Sequence, residues 1–85
     1  MATSYTNLYE LTELQVMIVK YISLWVKTKK TPVPLSDILK EIERTGERDP
    51  RNKAAYSLRD LLKMGYIRRA IGTSNKTFYV LLRTI

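Results

Sequence analysis

Eighty-five residues, 45% apolar and 27% charged, fit one domain around one hydrophobic core, because so short a chain has too little interior for two. The absence of cysteine excludes a disulfide framework and a thiolate zinc site and points to a reducing cytoplasm, and the absence of histidine removes the commonest general base. The net charge of +7 sits wholly in the C-terminal part, since seven cations and seven acids cancel over residues 1–50 while residues 51–85 carry eight cations against Asp60 alone. Such a surface attracts a polyanion, either nucleic acid or an anionic membrane, or else serves only for solubility. The longest apolar run, "VMIV", is far below the roughly 18 residues that span a bilayer, and the N-terminus lacks the charged start and small-residue cleavage site of a signal peptide. The expectation is a chain neither secreted nor membrane-spanning.

In chain order, residues 1–11 read as a tail whose Tyr5, Leu8 and Tyr9 are apolar enough to pack against something. The spelling "TELQ" fits a capping box at Thr12, so the first helix is expected from there to about Lys29, where lysines meet the negative end of the dipole. This helix carries two apolar stripes: Leu14, Ile18, Tyr21, Ile22 and Trp25 on one face, Val16, Val19 and Val26 on another. One stripe suffices for a core. The second, with the tail residues Tyr5, Leu8 and Tyr9, is the expected interface of a homodimer, with packing inside the chain as the alternative. The prolines of "TPVPL" suit a short extended edge segment. A second helix of about nine residues is expected from Ser36, burying Ile38, Leu39 and Ile42 and stopping before Gly46. A third follows the loop "TGERD", with Asp49 as cap, Pro50 at the first helical position and Gly65 at the left-handed stop. The last 20 residues change to a period of two: "YIRRAIG" and "TFYVLLRTI" read as antiparallel strands around a turn at "TSNK", with "PVPL" able to pair beside them. The fold class is therefore α+β, a three-helix core with a small antiparallel sheet at one end, filling residues 12–85.

On the third helix Ala54, Leu58, Leu61 and Leu62 fall toward the core, leaving Arg51, Asn52, Lys53, Tyr56, Arg59, Asp60 and Lys63 around the other sides. Long cations, an amide and a phenol near a helix N-terminus are the groups that read base edges in a major groove, Arg or Lys on guanine and Asn on adenine. Ala55 and Ser57 are small enough to allow close approach. A short helix, a tight polar loop and a capped helix with a basic outer face is a helix-turn-helix arrangement. The hairpin contributes Arg68, Arg69 and Lys76, with Ser74 and Asn75 at its tip, for phosphate or the adjacent minor groove.

The stretch "SDILKEIERTGERDPRNKAAYSLRDLLKMGYIRR", followed by "TFYVLL", resembles the winged helix-turn-helix of small bacterial and archaeal transcription regulators, among them MarR-like and PadR-like repressors and the compact winged-helix proteins of archaea and their viruses. The resemblance covers about residues 12–83, and "LLKMGYIRR" is its most specific part. It implies a sequence-specific double-stranded DNA-binding regulator, in which Arg51, Asn52, Lys53, Tyr56 and Ser57 match recognition-helix positions and Asn75 and Lys76 match the wing tip. It also implies that two copies set their third helices into successive major grooves. The chain departs from larger members in lacking a long C-terminal dimerisation helix and an effector domain, which leaves pairing to the first helix and tail. No cofactor, metal or small-molecule effector is evident.

Other chemistries fit less well. Asp37 and Glu41 are paired carboxylates one turn apart, but lie on a short amphipathic helix among cations and read as a solvated face, and the isolated glycines 46, 65 and 72 form no phosphate loop. The expectation is a protein that is not an enzyme. "LRDLL" spells a docking helix, yet its leucines are needed for the core. Exposed aromatics are too few for a single-strand stacking platform. The stronger rival is a winged helix used for protein interaction through Trp25, Tyr21 and the second stripe of the first helix.

Overall fold

The structure, a computed structural model, describes residues 11–72 and 76–83, and within these three helices and a three-stranded antiparallel sheet make an α+β domain. Helix α1 spans Glu13–Lys29 and starts as its sequence dictates. The Gln15 amide donates to Thr12 Oγ1 at 3.1 Å, and the Thr12 amide donates to Gln15 Oε1 at 2.9 Å. This reciprocal box satisfies two otherwise orphaned donors. At the other end Lys30 adopts a left-handed conformation, φ 58°, and its amide closes on the Val26 carbonyl.

The two stripes expected on α1 are one broad face. Gln15, Ile18, Val19 and Ile22 are its buried centre, while Leu14, Tyr21 and Trp25 on one border and Val16 and Val26 on the other pack against the core partly exposed. Val19, 1% exposed, is a core residue and is unavailable to a second copy, because α2, α3 and the sheet cover a wider arc than one helical stripe. Tyr5, Leu8 and Tyr9 lie outside the described residues.

Strand β1 is Val33–Pro34 and helix α2 is Leu35–Arg44. The helix starts one residue earlier than Ser36 because Pro34 itself occupies the cap position in an extended conformation, making no side-chain cap bond. Ile38 and Ile42 are buried as expected, whereas Leu39 is only half-buried. Helix α3, Pro50–Lys63, has proline in its first turn, but Asp49 does not cap it in the expected way. Asp49 is left-handed, φ 51°, and its carboxylate accepts from the Asn52 side chain instead of a backbone amide.

The end of α3 joins the helices to the sheet. Gly65 is left-handed, φ 78°, its amide donates to the Leu62 carbonyl, and the Tyr66 amide donates to the Leu61 carbonyl. This is a Schellman motif, and its characteristic apolar contact is supplied by Leu61 and Tyr66, both buried in the core. Strands β2 (Ile67–Ile71) and β3 (Thr77–Leu81) form the hairpin, and the sheet order is β1-β3-β2 with every neighbour antiparallel. The Gly72 amide donates to the Lys76 carbonyl at 2.8 Å across the turn, and the Phe78 ring lies over Gly72 where a side chain would stand. No helix among the described residues is long and apolar enough to cross a membrane.

Candidate nucleic-acid interface

With Ala54, Ser57, Leu58 and Leu61 buried, the helical repeat places Asn52, Tyr56, Arg59 and Lys63 on the outermost stripe of α3. Tyr56 is 59% exposed, and the Arg59 guanidinium lies 5.1 Å from the centre of its ring. That stacking restrains the guanidinium and is worth about 0.5–1 kcal/mol at an exposed site. Arg51, Ala55 and Leu62 flank the stripe on the side toward the sheet.

Across from that flank stands Arg69. In a strand alternate residues share a face, so Arg69 projects with buried Ile67, and the register sets it opposite buried Tyr79. Arg51, Arg59 and Arg69 thereby border one open cleft of about 560 Å³ between α2, α3 and the sheet. Its apolar walls come from Leu35 and Leu39 of α2 and from Ala55, Leu58 and Leu62 of α3. Among the described residues no carboxylate forms an ion pair with any of these three arginines. They are cations held apart from one another and directed at solvent, an arrangement whose electrostatic complement is an extended anion.

Three residues expected in this surface face elsewhere. Arg68 neighbours Arg69 but falls on the opposite sheet face, paired with Val80, because consecutive strand residues alternate. Ser57 is 8% exposed and turns toward the start of α1 near Thr12 and Leu14, on the inward side of α3. Lys53 is on the flank away from the sheet, and its ammonium is 2.8 Å from Glu47 Oε1. Asn52 is exposed as expected, with its amide nitrogen donating to Asp49 Oδ2 at 2.7 Å and its carbonyl oxygen free to accept. Lys76 is exposed beside the turn, and Asn75 lies outside the described residues.

Sequence reasoning overlooked the cleft itself. Leu39 and Leu62 were expected in the core, yet both are half-buried in its walls. The signal for Arg69 was nonetheless present, since a buried Ile67 places Arg69, not Arg68, on the helix side. The carboxylates at Asp37 and Glu41 sit beside Tyr21. Burial first, then these two charges, push the Tyr21 phenol up, and the hydrogen bonds from Arg44 hold the Glu41 carboxyl below its ordinary range. The cluster is an ion-paired helix surface.

Burial also raises the Tyr79 phenol, against the opposing pull of Arg69. The folded chain therefore retains that proton longer than the unfolded chain does. The resulting stability is complete below the ordinary phenol value of about 10 and is lost as pH rises through the folded value. The urea midpoint is expected to fall more steeply above about pH 10 in the native sequence than in Tyr79→Phe. Parallel curves for the two proteins would remove Tyr79 as the cause.

Searches against protein-family models, curated proteins and solved structures found no match to this chain.

Proposed function

We propose that this protein is a winged-helix double-stranded DNA-binding protein that acts in the cytoplasm as a transcription regulator and performs no catalysis. Helix α3 enters the major groove by its stripe of Asn52, Tyr56 and Arg59, while Arg51, Arg69 and Lys76 hold the flanking phosphates. The observation that carries this reading is the convergence of Arg51, Arg59 and Arg69, all without ion-pair partners among the described residues, from a helix and a neighbouring strand onto one exposed side. The helix-to-strand order, with a short antiparallel hairpin directly after the capped third helix, supports the winged-helix assignment. As a pair, two copies meeting along the α1 flank of Val16 and Val26 would set two α3 helices about 34 Å apart. The sedimentation of the complex reports one or two chains per duplex.

Fluorescence anisotropy with a labelled duplex, repeated from about 50 to 200 mM salt, tests the central claim. Some five phosphate contacts give a log–log slope of roughly −4 to −5, from about 0.9 per neutralised phosphate. No measurable binding at about 50 mM salt would sink it. Selection from a random duplex pool then separates base reading from phosphate attraction.

The rival protein-interaction surface is weakened by what its aromatics already do. Trp25 packs on Tyr21 with ring centres 6.1 Å apart, lies under the Lys29 ammonium at 4.7 Å, and donates from Nε1 to Thr31 Oγ1 at 3.2 Å. These contacts fasten the end of α1 to the turn before β1.

Glu47 supplies a further prediction, because it holds Lys53 and adds negative potential at the DNA-facing end of α3. Glu47→Gln is expected to tighten duplex binding several-fold at low salt, with the gain shrinking as salt is raised. Weaker binding in the variant would mean that the pair orients Lys53 productively.

A further inference from the structure

We propose that the cleft between α2, α3 and the sheet binds a small amphipathic anion, a medium-chain aliphatic carboxylate being the chemistry that fits it. The volume of about 560 Å³ falls within the range of roughly 300–1,000 Å³ usual for small-molecule sites. Two features are incompletely satisfied in the protein alone. Leu35, Leu39 and Leu62 leave apolar surface half exposed along the walls, and Arg51, Arg59 and Arg69 stand at the border without a carboxylate. One ligand answers both: a hydrocarbon chain displaces water from the leucines while its carboxylate accepts paired hydrogen bonds from a guanidinium fork.

Simpler occupants meet only half of this complementarity. Inorganic phosphate engages the arginines and leaves the walls wet, and a neutral alcohol covers the walls and leaves the arginines unpaired. A second copy is disfavoured by charge, since the outermost line of α1 carries Lys20 and Lys27, which repel the arginine border. The site stands without the DNA reading. Its consequence for regulation rests on that reading: a ligand holding Arg51, Arg59 and Arg69 competes with phosphates for the same groups.

The test is an amide-resolved NMR titration of the full chain with decanoate below its micellar range, alongside decanol and inorganic phosphate. Decanoate is expected to shift Leu39, Ala55, Leu62 and Arg69 along one saturable curve, with phosphate and decanol each at least about tenfold weaker. Arg69→Gln changes an exposed side chain and should weaken decanoate about tenfold. Ala55→Phe, also at an exposed position, keeps all three arginines, fills the cleft and should abolish the decanoate shifts. Scattered unsaturable shifts, phosphate binding equal to decanoate, or no effect of either variant would overturn the proposal. In a final arm decanoate is added to the protein–duplex complex and should release the duplex over its own binding range. If no duplex binds at all, the DNA reading fails while the NMR result still decides the cleft. If a saturated cleft leaves the duplex bound, the shared arginines are refuted.

Discussion

Replacing Arg51, Arg59 and Arg69 together by alanine is expected to lower duplex affinity by about three orders of magnitude at about 0.1 M salt and to leave the fold intact. All three side chains are exposed and have no ion-pair partner among the described residues, so removal creates neither a cavity nor an orphaned charge. Exposed substitutions of that kind usually change stability by less than about 0.5 kcal/mol each. Binding loses three charge-assisted contacts of about 1.5–3 kcal/mol apiece before allowing for non-additivity. The salt slope should flatten by about 3, one step of about 0.9 per lost phosphate contact. The control is a second triple, Lys20, Lys27 and Lys40 to alanine, which removes the same net charge from exposed positions outside the cleft. Net charge alone predicts equal losses for the two triples. A positioned interface predicts that the lysine triple falls only several-fold, so equal losses would refute the geometry on which the function rests.

The residues that announce this fold are those whose backbone chemistry is local. Thr12 and Gln15 form a box that needs only one turn of helix, and Gly65 takes the left-handed stop that a side chain would strain. Asp49 shows the limit of the same logic. Its type and position fit a cap, but Asn52 competes for its carboxylate within the same turn, and a side-chain contact between two exposed polar groups leaves no mark in apolar periodicity. The width of the core is likewise illegible from α1 alone. Whether Val19 faces a second copy or its own sheet depends on how much of the helix the rest of the chain encloses, which is a property of tertiary packing. The candidate site sits between these extremes. The excess of cations after residue 50 is plain in the sequence, but its division into Arg69 on the cleft side, Arg68 behind the sheet and Lys53 paired with Glu47 follows from register and loop path. Composition therefore indicates an anion-seeking surface, and only the fold decides which arginines belong to it.

Tyr66→Ala is expected to destabilise the domain by about 3–5 kcal/mol, the usual cost of emptying a buried aromatic site. Against a total of roughly 5–15 kcal/mol, this lowers the melting temperature by on the order of 20 °C. Tyr66 is 2% exposed and closes the Schellman turn after α3. Its carbonyl also accepts from the Leu82 and Arg83 amides, and the Arg83 guanidinium lies 4.1 Å from its ring centre. The ring is thus the packing element between the end of α3 and the sheet, while the backbone bonds at residue 66 survive truncation. Tyr66→Phe keeps the ring and should stay within about 1 kcal/mol of the native protein. The functional consequence is specific. Arg59 reaches the interface from α3 and Arg69 from β2, so their spacing depends on the junction that Tyr66 fills. Well below its own melting point, Tyr66→Ala should therefore bind duplex more weakly than its folded fraction accounts for, whereas Tyr66→Phe should bind normally. Calorimetry and anisotropy on the same samples separate the two effects. A variant that melts 20 °C lower but binds in proportion to its folded fraction would show that the helix and strand hold their arginines independently of this ring.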